Sequence, residues 1–151
     1  LFIAGKADAM AAVPDWIAIA QGAGVKVNIF PADDYFKSMA QAILVSDTTI
    51  RERPKLVRKL VRATLRGLKV VMDDPAAASR EYVKAVPQHK GKEKAMEHTF
   101  KLYNKYVYPG QKVLGAMDPE RLEAMQKFYV QQGVLRKALP LSDLYTNDFV
   151  E

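Results

Sequence analysis

The chain contains no cysteine. That absence excludes disulfides, thiolate metal sites and a cysteine nucleophile together. It is neutral on location, because cysteine-free chains occur in oxidising and reducing compartments alike. Long apolar runs are missing too: none approaches the roughly 20 residues needed to cross a bilayer. There is no phosphate-cradling glycine loop, no serine elbow and no HExxH pattern, so no catalytic residue is expected and the chain does not read as an enzyme. The two histidines, His89 and His98, stand without acidic residues at ligand spacing. Both read as surface or helix-face groups, and neither a metal site nor a cofactor is expected. Charge asymmetry is absent as well: the net +6 divides into +3 in each half. There is thus no basic arm or tail, only a mild preference for anionic partners.

What is present begins with size and composition. The 151 residues, 49% hydrophobic and 26% charged, suit one ordinary globular domain. The organising stretch is Ala42–Asp74. Four apolar residues, Ala42–Val45, closed by Ser46-Asp47, suit a buried strand. Pro54 suits the first turn of a helix, where its missing N–H costs nothing. Val57, Leu60, Val61, Thr64, Leu65, Leu68, Val71 and Met72 then recur at three- and four-residue steps as one apolar stripe. Lys55, Lys59, Arg62, Arg66 and Lys69 follow the same steps on the opposite face. The pattern predicts a helix lying on a sheet with its basic side in water.

The flanking segments predict neighbours for this unit. Leu1–Gly5 reads as the last turn of a helix stopped by its glycine, so with no methionine at position 1 an upstream part is expected. Ala7–Val13, apolar apart from Asp8, suits a buried strand in which Asp8 needs a partner. Asp15–Gln21 is a short helix stopped by Gly22 and Gly24, and Val25–Phe30 alternates like a strand with one wet face. Asp74-Pro75 opens a helix through about Val86, with Pro87 as its stop. Gly91–Val107 is helical, and Tyr103, Tyr106 and Tyr108 have a spacing that suits core and rim packing better than stacking on bases. Asp118-Pro119 opens another helix, stopped by Gly133, and Pro140–Phe149 is a short turn or helix. Two to four strands are too few to cover four following helices. Because strand edges must be paired or covered, further strands are expected from elsewhere.

The run LFIAGKADAMAAVPDW, then GVKV, AILVSDTTIRERPKLVRKLVRATLRGL, DDPAAASREYV, GAMDPERLEAMQKFYVQQGV and DLYTNDFV resembles the periplasmic solute-binding proteins of ABC importers. The similar branch includes binders of sulfonates, taurine, nitrate and thiamine-pyrimidine precursors. The resemblance covers the whole chain but only about the second half of a family member. It implies an α/β fold with two lobes (type II-like) and the ligand in the cleft between them. Residues 1–36 would be the end of the second lobe and the crossover, and 37–151 the helix-rich C-terminal part of the first. It further implies a bacterial periplasmic location, a permease partner in the inner membrane, and an N-terminal half supplied outside these residues. The expected ligand is a small polar or anionic organic solute: a sulfonate, nitrate, a pyrimidine precursor or an aromatic acid. Relatives that synthesise the thiamine pyrimidine rely on a cysteine-rich motif, which is missing here.

In that frame Val13, Pro14, Asp15 and Trp16 form a strand-to-helix junction of the kind where α/β ligands sit. The proline would set the turn, Asp15 supply an acceptor and Trp16 a stacking plane. The plainer alternative has Asp15 capping the helix and Trp16 packing between lobes. Family members often carry an aromatic residue at the position of Val13, followed by an acidic residue and proline. The order here is Val13-Pro14-Asp15-Trp16. Gln41 would reach the ligand from the hinge, or is simply a polar residue at a strand end. A second functional reading is a helical interaction module, with the basic face Lys55–Lys69 docking an acidic partner or nucleic acid. Against the nucleic-acid form stand the acidic neighbours Glu52, Asp73 and Asp74 and the lack of an accompanying motif.

Overall fold

The computed structural model describes residues 1–150 apart from Ser38 and Ala40. Its described residues form six α-helices: α1 (Pro14–Gly22), α2 (Asp47–Glu52), α3 (Pro54–Asp73), α4 (Pro75–Ala85), α5 (Glu93–Tyr106) and α6 (Pro119–Gln131). Short 3₁₀ turns occur at Ala32–Asp34, Pro87–His89 and Leu141–Asp143. No strand forms among the described residues. The segments expected as strands, Ala7–Val13, Val25–Phe30 and Ala42–Val45, lie outside every regular element. The reason is physical: a ladder needs a second edge, and none of the three is paired with another. Asp8, expected inside a buried strand, is exposed, because with no sheet there is nothing to bury it.

Three helices, α2, α4 and α6, start at a side-chain cap. Asp74 accepts the Ala77 N–H at 2.9 Å ahead of Pro75, and Asp118 accepts from Glu120 and Arg121 at 3.0 and 3.3 Å ahead of Pro119. α2 had no counterpart in the sequence reading. It begins at Ser46, whose Oγ accepts the Thr49 N–H at 3.2 Å, so a serine read as the end of a strand is the cap of a helix. α1 ends at Gly24 (φ +79), with Val25 N–H bonded to Ala20 and Gly24 N–H to Gln21. This is the paired-carbonyl helix end that favours a glycine in left-handed backbone.

The described residues group into two compact units. The first comprises residues 1–29 and 67–110. In it α1 and α4 both pack on α5, around the buried side chains Ala20, Ala78, Val83 and Leu102. Ser79 and Thr99 are buried beside them, and their hydroxyls bond back to the carbonyls of Ala76 (2.8 Å) and Ala95 (3.1 Å). Tyr82 and Phe100 meet edge to face at 5.7 Å. Asn104 Nδ2 donates to the carbonyls of Val71 and Met72, both at 3.1 Å, and so satisfies the end of α3.

The second unit comprises residues 30–66 and 111–151, of which the last is outside the described set. Its buried side chains are Val57, Leu122 and Gln126. Irregular chain is held there by side-chain amides. Gln126 donates to Leu139 O at 3.1 Å and accepts from Leu139 N at 2.8 Å. Asn147 treats Met117 in the same way, at 3.1 and 2.9 Å. Phe36 packs on Phe128 at 4.4 Å, and Arg58 lies over the Phe149 ring at 5.4 Å. Asp33 accepts from Arg121 at 2.6 and 3.4 Å and from Lys37 at 2.8 Å. These cations draw the Asp33 carboxyl below its usual range, the Arg121 hydrogen bond most and that of Lys37 next.

α3 forms as its pattern predicts, but on the expected stripe only Val57 is buried. Val61, Leu65, Leu68, Val71 and Met72 are half-buried, and Leu60 is 51% exposed. The predicted sheet beneath it does not form within these residues.

Candidate functional site

The junction Val13–Trp16 lies in the first unit, at the start of α1. Val13 is extended (φ −106°, ψ 164°), and its carbonyl accepts from Trp16 N at 3.0 Å and Ile17 N at 3.4 Å. Pro14 is the first helical residue and is buried, which suits a ring with preset φ and no N–H to satisfy. Asp15 follows, half-buried, where its negative charge answers the positive end of the helix. Trp16, the single tryptophan, is 53% exposed.

Residues far along the chain complete this corner. The Tyr103 hydroxyl on α5 donates to Asp15 Oδ2 at 2.6 Å. Tyr108 stacks on Tyr103, with centroids 5.7 Å apart and planes 25° apart. One turn and a half further along α1, Gln21 Oε1 lies 2.7 Å from His98 Nε2. Two polar pairs therefore pin α1 onto α5. Burial first, and then the Asp15 carboxylate that its proton faces, push the Tyr103 hydroxyl well above the usual tyrosine value. Tyr108 is raised too, first by burial and then by the charge of Asp15. Both phenols stay protonated at neutral pH, so Tyr103 is a permanent donor to Asp15.

Of the residues singled out in the sequence, the structure keeps Val13–Trp16 together by adjacency and places Asp15 against Tyr103. Gln41 is exposed in the second unit, outside any helix. Sequence reasoning placed Tyr103 and Tyr108 in core and rim packing and missed their tie to Asp15. No local signal could have supplied it, because the partners are 88 positions apart. His98 was read as a surface group. It is exposed, yet it bridges to Gln21.

A family model described as "NMT1/THI5 like" matches residues 1–78, a little over half of the chain and all of the Val13–Trp16 junction. The chain belongs to this family. The NMT1/THI5-like family is one of ABC-type solute-binding proteins with the periplasmic binding protein fold. The riboflavin-binding protein RibY of Chloroflexus aurantiacus is 29% identical over 135 residues, which make up 86% of this chain and 38% of that protein. The chain thus spans about two fifths of the length of the curated relative it matches. No solved structure matches it. Among the described residues, no helix is long and apolar enough to cross a membrane.

Proposed function

We propose that this chain is the C-terminal portion of the solute-binding component of an ABC importer. In the complete α/β receptor, two lobes would close over a small organic solute, and the closed form would be presented to an inner-membrane permease from the periplasm. Residues 1–36 would end the second lobe and cross back, and 37–151 would complete the first. The work is capture and release, not catalysis: the ligand stabilises the closed state through contacts it makes only there.

The observation that carries this reading is the family match across residues 1–78. Two others support it. RibY continues well beyond the region it shares with this chain. Leu44 is 92% exposed, Phe30 75% and Tyr35 76%, which suits surfaces that further strands would cover. Riboflavin, for which the relative is named, is the first solute to test. A titration of the longer protein carrying this chain should give saturable binding of a small solute, whereas residues 1–151 alone should bind weakly or not at all. Micromolar affinity in the isolated chain would overturn the fragment reading.

A second reading rests on the exposure of Lys55, Lys59, Arg62, Arg66 and Lys69 along α3, a row that could engage an acidic partner. Salt separates the two: a complex made through this row should weaken steeply as ionic strength rises, while capture of a small solute in the cleft should be far less sensitive.

A further inference from the structure

We propose that the row Lys55, Lys59, Arg62 and Arg66 on α3 holds the protein against a bilayer surface rich in anionic phospholipids. This contact is separate from the solute cleft and goes beyond the receptor reading.

Halved, the chain is evenly charged, but along its length it is not. Residues 51–66 carry seven basic groups and one acidic group, a net +6, while the other 135 residues carry 16 of each sign. The whole net charge of the protein therefore sits on one short stretch of the second unit. Helical geometry then sorts it. Arg58 turns to a distant segment, donating to Asp148 O at 3.1 Å and lying over the Phe149 ring. Lys55, Lys59, Arg62 and Arg66 recur at steps of four, three and four, so they share one face over about 16 Å. All four are exposed, and Lys55, Lys59 and Arg66 make no ion pair among the described residues. One turn further on, Lys69 is answered by Asp73 at 2.9 Å, so the row ends at Arg66.

What accompanies the cations decides the partner. No aromatic residue lies between Arg51 and Arg66, whereas single-stranded nucleic acid is held by stacked rings and protein interfaces by packed aromatic anchors. The row is bordered by aliphatic side chains instead. Leu56 lies one turn from Lys59, Leu60 lies one turn from Leu56, and both are about half exposed. Cations beside exposed leucines on one helix are the pattern that lies flat on a bilayer, with charges among anionic headgroups and apolar side chains at the acyl boundary. Such a surface asks for no fixed pairing geometry, which suits lysines that no ion pair holds in place.

The test pellets the longer protein carrying this chain with vesicles of phosphatidylcholine alone, and with vesicles of equal parts phosphatidylcholine and phosphatidylglycerol. Each cation near an anionic leaflet strengthens binding roughly fivefold. The triple variant Lys55→Gln, Lys59→Gln, Arg66→Gln should therefore bind the mixed vesicles about 10²-fold more weakly. Removing the same charge from the first unit by Arg80→Gln, Lys90→Gln and Lys92→Gln should cost less than about fivefold. Lys55→Arg with Lys59→Arg keeps the charge and should leave binding unchanged, which separates loss of the row from loss of folded protein. Equal binding to the two kinds of vesicle, or an equal loss in both glutamine variants, overturns the proposal. So does retention on a DNA duplex with none on the mixed vesicles. The receptor reading stands or falls by its own titration, whatever the vesicles show.

Discussion

Gly115 offers the sharpest test of the packing in the second unit. Its φ is +83°, and a Cβ added there would overlap Leu65 Cδ2 while lying 3.1 Å from Cδ1 and 3.2 Å from Cγ. Two separate costs therefore fall on Gly115→Ala. Left-handed backbone costs a residue with a Cβ roughly 1–2 kcal/mol. Forcing the Leu65 side chain aside adds about 1–3 kcal/mol, as overpacking usually does. The expected total is about 2–5 kcal/mol, or a fall in Tm of at least 4 °C at about 2–4 °C per kcal/mol for a chain of this size. The two costs separate in a cycle with Leu65→Ala, which removes the overlapping atoms. In that background Gly115→Ala should cost only the backbone part, so the coupling between the two sites should be about 1–3 kcal/mol. Urea unfolding followed by far-ultraviolet circular dichroism measures each corner of the cycle. An equal cost for Gly115→Ala in both backgrounds would refute the proximity of Leu65, and a cost near zero would refute the left-handed turn as well.

Gln126→Ala removes both amide bonds to Leu139, whose N–H and C=O must then turn to water for partners. The expected loss is about 1–3 kcal/mol, with faster hydrogen exchange at the Leu139 amide as the local readout, and unchanged exchange there would count against the pairing. Asp33, with its lowered carboxyl pKa, contributes stability that is complete above the unfolded carboxylate value near 3.9 and is lost as pH falls through the lower folded value. Arg121→Ala should therefore flatten the acid limb of the stability curve below about pH 4, by well under 1 kcal/mol because the pair is substantially exposed. An acid limb identical to that of the unmodified protein would rule the pair out.

The helices were legible where chemistry at their ends is local. Asp74-Pro75 and Asp118-Pro119 announce a cap and a first turn within two residues, and the structure starts α4 and α6 there. Ser46 carried the same kind of signal for α2, but the apolar residues before it drew it into a strand. Strands are not local in this sense. Ala7–Val13 and Ala42–Val45 have the composition for the role, and composition cannot supply the partner edge that makes a ladder. The corner around Asp15 was half legible: Val13–Trp16 stood out as a junction, whereas Tyr103 reaches it only because α1 and α5 pack together. Asp33 and Arg121, also 88 positions apart, were invisible for the same reason.

The tie between Asp15 and Tyr103 also sets an order of events during synthesis. At about 5–20 residues per second, some 4–18 s separate the emergence of the two ends of this bond, whose sequence distance is 88. Through that interval α1, only nine residues long, is shorter than the roughly 12–15 residues at which an isolated helix becomes even marginal in water. The nascent segment that carries α1 must therefore wait for its α5 partner, open to chaperones or proteases, until the ribosome has delivered the helix that will hold it.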